Sequence, residues 1–142
     1  MKKLSAFSLM LFLILGFTSC SAKRVDTENL REVATHVVGD VAIVLLNRTG
    51  ELKQGQNEFI VQFRDQKGQP INVGSVQLGS SMSMPSMAPM SGDSEITPTG
   101  QTGTYRVKSN FAMSGAWHFT VSWNGPLGPG SELGCGPANR WP

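Results

Sequence analysis

The sequence predicts an all-β protein, an antiparallel β-sandwich that follows an export signal and a short spacer. Three observations predict this class. Beyond residue 40, apolar residues alternate with polar ones in several short segments, which is the periodicity of half-buried strands. Glycine, proline and asparagine separate these segments as turns, and no segment has a convincing helical pattern. Short strands joined by such turns are typical of two packed antiparallel sheets.

The first 20 residues, MKKLSAFSLMLFLILGFTSC, predict a signal peptide for export. Two lysines precede an apolar run over 9–17, which is too short to span a bilayer comfortably. The run ends in Phe17-Thr18-Ser19-Cys20, which resembles the lipobox of bacterial lipoproteins. We therefore expect cleavage after residue 19 and lipidation of Cys20, which would anchor the protein in a membrane. The alternative is an ordinary secreted protein.

The predicted mature chain starts at Cys20, and its composition limits the functions that it can have. Lipidation leaves Cys135 without a partner, so no disulfide supports the fold. The chain has 12 basic residues, including the two leader lysines, and 10 acidic ones, so the mature part is near neutral. The sequence has no basic patch with interleaved aromatic residues, so it does not indicate nucleic-acid binding. Ser21 rather than Asp follows the cysteine, which favours an outer membrane, facing the periplasm, in a cell that has one.

The mature chain divides into a spacer, one domain and a tail. Residues 20–40 are polar with scattered apolar positions, and they predict a spacer with a short helical turn around Thr27–Val33. The sandwich domain is predicted over 41–124, and it begins with the apolar run Val41–Leu46, which is short enough for a buried strand. Residues 125–142 are rich in Gly and Pro and predict a flexible tail.

Four further strands are predicted from residues that alternate towards the core. Gly74 interrupts the alternation in one of them and predicts a β-bulge there. Another short strand is predicted near Glu95–Thr97. The inward-facing residues are Phe59, Val61 and Phe63; Val73, Val76 and Leu78; Tyr105 and Val107; and Trp117, Phe119, Val121 and Trp123.

The segment SMSMPSMAPM, at 81–90, contains four of the seven methionines in the chain. Thioethers are soft ligands that suit Cu(I), and they bind without losing a proton. Spacings of two and three residues on a loop with prolines would allow several sulfurs to converge. Two side chains near the start of the last predicted strand could complete such a site. The candidate ligands are Met82, Met84, Met87, Met90, Met113 and His118.

Two other interpretations of this segment stay open. Methionine is also an adaptable filler of hydrophobic cores, so the loop could cap one open end of the sandwich. The loop could equally be a surface that binds a partner protein. Met113 lies just before Gly115 and Trp117 and is a candidate core residue, and His118, at an outward strand position, is a candidate for a solvated side chain.

No catalytic motif is present in the sequence, and we expect a protein that is not an enzyme. The sequence has no HExxH, no CxxC and no nucleophile elbow. Asp93 and Glu95 are neighbours in a Ser/Thr/Gly loop, where carboxylates are usually solvated. The Gly-rich surroundings of Cys135 offer no positive neighbour that would activate its thiol.

Several short motifs occur in order between residues 50 and 124, and together they resemble the YtkA-like domain family. They are a G-x-N opening, a D-x-x-G-x-P turn, an M-P-x-M segment, a G-x-Y strand and an M-x-G-x-W strand. Their residues are Gly55 and Asn57; Asp65, Gly68 and Pro70; Met84, Pro85 and Met87; Gly103 and Tyr105; and Met113, Gly115 and Trp117. The chain departs from the family pattern M-P-x-M-G-M-P, since it has Met87-Ala88-Pro89-Met90 and an additional Met82.

The resemblance implies an Ig-like architecture and an exported or lipid-anchored protein, related to FixH-like proteins and associated with the handling of copper and other heavy metals. We therefore expect a non-catalytic accessory protein of the cell envelope that binds Cu(I) or Ag(I) at its methionine-rich loop. The second hypothesis is an interaction module that docks on a membrane efflux system or an oxidase assembly factor and binds no metal.

Overall fold

The computed structural model describes residues 25–135, which form eight β-strands. The strands are β1 (Arg31–Val38), β2 (Val41–Asn47), β3 (Gly55–Arg64), β4 (Ser75–Met82), β5 (Met90–Pro98), β6 (Thr104–Phe111), β7 (His118–Gly125) and β8 (Gly128–Cys135). All neighbouring strands are antiparallel, in the order β1-β2-β3-β6-β5-β4-β7-β8. The prediction of an all-β antiparallel fold is confirmed. The described residues contain no helix that is long and apolar enough to cross a membrane.

The sheet curls strongly at β5, which belongs to both halves of the fold. Residues 90–92 of β5 pair with β4, and residues 93–98 pair with β6. Gly92 lies at this change of partner, where a Cβ would come within 2.5 Å of the Ser80 hydroxyl oxygen and 3.1 Å of the Trp117 ring. A residue without a side chain is therefore needed at this corner, because the inner surface closes tightly over it.

The hydrophobic core lies between the two halves of the curled sheet. Phe59 on β3 packs edge-on against Phe119 on β7, with ring centroids 6.0 Å apart. Phe63 packs in the same way against Trp123, at 5.7 Å. The predicted inward-facing residues of these strands are buried, apart from the partly buried Leu78, which packs against the same core.

A second, smaller cluster lies on the outer face of the sheet. Val44, Leu46 and Ile60 are buried there, and Val25 and Leu30 pack against them. The chain before β1 therefore covers part of the outer face of β2 and β3. A strand that is buried on both faces explains why Val41–Leu46 is a continuous apolar run in the sequence.

The predicted spacer and its helical turn, before the domain, are wrong in part. Residues 31–38 are not spacer but strand β1, whose register runs from Arg31 opposite Asn47 to Val38 opposite Val41. Of the predicted helical turn, only one hydrogen bond remains, from Leu30 N to Thr27 O at 3.2 Å. An edge strand need not alternate cleanly, because only part of it faces the core.

The predicted flexible tail is also wrong over residues 128–135, which form β8 and pair with β7 along its whole length. Gly130 is required there, because the Trp123 ring occupies the space that a Cβ would fill. Pro129 is tolerated because β8 is the last strand of the sheet. Residues 136–142 of the predicted tail and residues 1–24, with the predicted signal peptide and Cys20, lie outside the described residues.

Two smaller features differ from the sequence predictions. The strand expected near Glu95–Thr97 is longer and spans nine residues of β5. Gly74 does not form a bulge within β4, whose register with β7 is regular from Ser75 to Ser81. It lies just before the strand with a φ of +79°, and its backbone touches that of Asn124 so closely that a Cβ would not fit.

Candidate functional site: the methionine end

The five methionines beyond the predicted leader lie at one end of the fold. We call this the methionine end and define it by the connections 83–89 and 112–117 and the strand residues beside them. Met82 and Met90 are paired across β4 and β5, Met84 and Met87 lie in the first connection, and Met113 lies in the second. The opposite end, which we call the turn end, contains the connections 39–40, 65–74, 99–103 and 126–127.

The M-P-x-M motif forms a β-turn. Met87 N donates a hydrogen bond to Met84 O at 3.4 Å, with Pro85 and Ser86 as the central residues. Ser86 has a φ of +64°, and proline at the first central position makes this a type II turn. Such a turn brings the Cα atoms of its first and last residues within about 7 Å, so the backbone holds Met84 and Met87 close together.

The methionines differ in how much of each side chain reaches the surface. Met82 is 6% exposed and belongs to the hydrophobic core, and Met84 is partly buried against that core. Met90 is partly buried, whereas Met87 is 66% exposed and Met113 is 37% exposed. Met82 therefore acts as core filler, and the other four thioethers form a graded rim from half-buried to exposed.

The second connection is fixed by hydrogen bonds to its backbone. Trp117 Nε1 donates to Met113 O at 3.1 Å, and Gln54 Nε2 donates to Ala112 O at 3.0 Å. Ser114 Oγ donates in turn to Gln54 Oε1 at 3.2 Å. The backbone that carries Met113 is thus held against the core tryptophan and against the segment before β3, while its side chain stays accessible.

His118 lies on the other face of the sheet. It precedes the buried Phe119 on β7, and successive side chains of a strand point to opposite faces. Its Cα partners are Ser81 on β4 and Cys135 on β8. The predicted ligand set is therefore divided, with Met82 and Met90 at inward positions and His118 at an outward one. Within residues 25–135, no group of three or more His, Cys, Asp or Glu residues could hold a metal ion.

A row of serines inside the fold was missed by the sequence predictions. Ser94 Oγ lies 3.2 Å from Ser80 Oγ and 2.8 Å from Ser109 Oγ. The row ends on backbone carbonyls, since Ser109 Oγ donates to Asp93 O and Ser80 Oγ to Gly92 O. The sequence could have indicated this row, because each of β4, β5 and β6 has a serine at an inward position. Serine is, however, frequent throughout residues 75–114, so the pattern does not stand out. These hydroxyls satisfy one another, so the row stabilises the curl at β5.

The outer face of β3, β6 and β5 forms an open polar groove. Lys108 lies in register between Glu58 on β3 and Glu95 on β5. Arg106 Nε also lies 3.6 Å from Glu58 Oε1. Glu58 and Glu95 therefore have basic neighbours, and the groove has the charge pattern of a solvated sheet surface.

The remaining motif residues have structural roles in the fold. Asn57 closes the start of β3, because its side chain accepts from Lys53 N at 2.8 Å and donates to Lys53 O at 2.6 Å. The Asp65 carboxylate accepts from Lys67 N and Gln69 N, both at 2.8 Å. Gly115 allows close packing on Met82, whose sulfur would lie 2.6 Å from a Cβ at that position.

Comparison with known protein families agrees with this distribution of motifs. The model of the family described as YtkA-like matches residues 35–122, from within β1 to within β7. The match includes the methionine rim and the turn motif around Asp65. No curated protein matches the sequence significantly.

Proposed function

Since the chain belongs to the YtkA-like family, we propose that it is a lipid-anchored, non-catalytic protein of the cell envelope that binds Cu(I) at its methionine end. The observation that carries the proposal is the position of the methionines, which come from two separate connections and meet at one end of the fold. Cu(I) takes thioether ligands, and several sulfurs from a short loop and a neighbouring one can satisfy its preference for soft donors.

The proposed ligands are Met84, Met87, Met90 and Met113. The type II turn holds the first two together, and Met90 and Met113 each keep part of the residue exposed to solvent. Met82 supports the site from the core, where it contacts the 112–117 connection near Gly115. His118 is left out of the proposed set because it occupies an outward position on β7.

A competition titration with a Cu(I) chelator tests this proposal. We expect the protein with all four proposed ligands replaced by leucine to lose most of its affinity for Cu(I). Leucine preserves volume, and such swaps usually cost less than about 1.5 kcal/mol each, so a thermal melt can verify that the fold persists. Met82→Leu and His118→Ala are the controls, and both should bind Cu(I) as the unaltered protein does. Unchanged affinity in the fourfold variant would exclude the ligand assignment.

The second candidate is a docking module for a membrane complex involved in efflux or oxidase assembly. The exposure of Met87, at 66%, favours it, because large apolar side chains that reach into solvent often mark contact surfaces. A photocrosslinker at position 87 should then capture a membrane protein in cells, whether or not copper is supplied. A crosslinker at Thr120, on the outer face of β7, is the matched control. Equal capture from both positions would exclude specific docking through the loop.

A further inference from the structure

The chain before β1 leaves the domain at a defined place. Val25 N donates a hydrogen bond to Gln101 Oε1 at 3.2 Å, and the Val25 side chain packs on the outer cluster that contains Leu46 and Ile60. Gln101 lies in the 99–103 connection, where its carbonyl accepts from Thr104 N. The described chain therefore begins beside the turn end.

Little chain separates this point from the proposed lipid anchor. From Cys20 to Val25 there are five residue steps, which span at most about 18 Å even when fully extended. Strand β6 alone runs from Thr104, at the turn end, to Phe111, at the methionine end. Its seven steps cover about 24 Å, which is longer than the extended tether, so a chain that leaves the domain beside Gln101 favours the turn end over the methionine end as the end near the anchor.

The turn end exposes two aliphatic side chains that a bilayer could cover. Val37, near the end of β1, is 63% exposed, and Leu127, between β7 and β8, is 57% exposed. Val37 lies next to the connection 39–40, and Leu127 lies in the connection 126–127. The antiparallel register places both connections at the same end of the fold as 99–103, which contains Gln101. Exposed aliphatic side chains next to a short tether are well placed for the interfacial layer of a membrane.

We propose that the turn end faces the bilayer, with Val37 and Leu127 in contact with the lipid interface, and that the methionine end points away from the membrane. The proposal rests on the lipidation of Cys20 that is part of the proposed function. Residues 25–30, which pack on the domain, then fix its orientation relative to the bilayer and do not act as a spacer that holds it away from the membrane. The Cu(I) ligands would be presented to the aqueous compartment, where they could exchange metal with a soluble or a facing partner.

Spin labels at the two ends test this orientation. In a Cys135→Ser background, Leu127→Cys and Met87→Cys variants of the lipidated protein are each labelled with a nitroxide and reconstituted in vesicles of phosphatidylethanolamine and phosphatidylglycerol. The accessibility to oxygen, which partitions into lipid, is compared with that to a water-soluble nickel complex. We expect the ratio to shift towards oxygen at position 127 and to stay at its aqueous value at position 87. A shift at 87, or none at 127, would overturn the proposal.

A second variant tests the role of the tether length. A flexible Gly/Ser insert of 20 residues after Ser21 would add a mean reach of about 25 Å, and we expect it to abolish the shift at position 127. A shift that survives the insert would overturn the role of the short tether. Neither measurement involves copper, so failure of Cu(I) binding leaves the orientation intact. A mature protein whose mass shows no lipid on Cys20 would overturn the anchor and the orientation together.

Discussion

The two ends of this domain are closed in different ways. At the turn end, glycines allow backbone to press on backbone, because a Cβ at Gly74, Gly103 or Gly125 would collide with a neighbouring main-chain carbonyl. At the methionine end, the corresponding close approach is between Gly115 and the sulfur of Met82, which is the far part of a flexible side chain. Main-chain contacts cannot adjust without moving strands, whereas a thioether can change rotamer. The turn end is thus a rigid base, and the methionine end can repack around a ligand.

Gly103→Ala should give the largest loss of stability, because it attacks the rigid end. The new Cβ would clash with the Ile71 carbonyl, and the φ of +60° is unfavourable for alanine. Overpacking and backbone strain together predict a loss of about 3 kcal/mol or more in the free energy of unfolding. Urea denaturation measures it. A loss below about 1 kcal/mol would show that the turn end can also adjust, and the contrast between the ends would fail.

Gly115→Ala tests the same contrast at the adaptable end. Its Cβ would meet the Met82 sulfur at 2.6 Å, and the φ of +151° adds some strain. Because the thioether can move aside, we expect a smaller loss of about 1–2 kcal/mol. Combining it with Met82→Ala in a double-mutant cycle should show coupling, since the shorter side chain leaves room for the new methyl group. Additive losses would mean that Met82 does not carry the contact.

Ser86→Gly should stabilise the protein slightly and leave the rim in place. Ser86 has a φ of +64° at the third position of the type II turn, where glycine is favoured. Removing this strain predicts a gain of about 0.5–1 kcal/mol in the free energy of unfolding. Ser83→Gly, in the same connection but outside the turn, is the control and should give no gain. Equal effects of both changes would argue against the turn geometry.

The sequence was sufficient to predict the strands that alternate, because a period of two with large apolar residues has one interpretation. Phe119, Val121 and Trp123 illustrate this, since all three lie in the core. The edge strands were not predictable in the same way. REVATHVV forms β1 and GPGSELGC forms β8 through main-chain pairing with β2 and β7, to which side-chain periodicity contributes little.

The candidate site was predicted only in part, for a related reason. The sequence placed Met84 and Met87 in one connection between strands, and the structure has them there as the ends of a turn. That Met113 belongs to the same end depends on the strand order β5-β4-β7, which brings distant segments together. Whether His118 could join the methionines depended on the face it occupies, and its alternation with Trp117 already indicated the outer one. Long-range pairing, rather than local pattern, decides which candidate ligands meet.

An effect of similar size, but dependent on pH, concerns Tyr105, whose hydroxyl donates a hydrogen bond to Gly74 O at 2.5 Å at the rigid end. Burial raises the pKa of the Tyr105 phenol above its ordinary value of 10.0. The unfolded chain therefore loses this proton first, and the stabilisation by Tyr105 is complete below pH 10 and declines as the pH rises further.

We expect Tyr105→Phe to cost about 1 kcal/mol at neutral pH, and the difference from the unaltered protein to shrink above pH 10. Tyr105 is the only tyrosine in the chain, so the absorbance of tyrosinate reports its ionisation without interference from others. A midpoint at or below 10 in the folded protein would mean that the hydroxyl is open to solvent and that the turn end is looser than its glycine contacts imply.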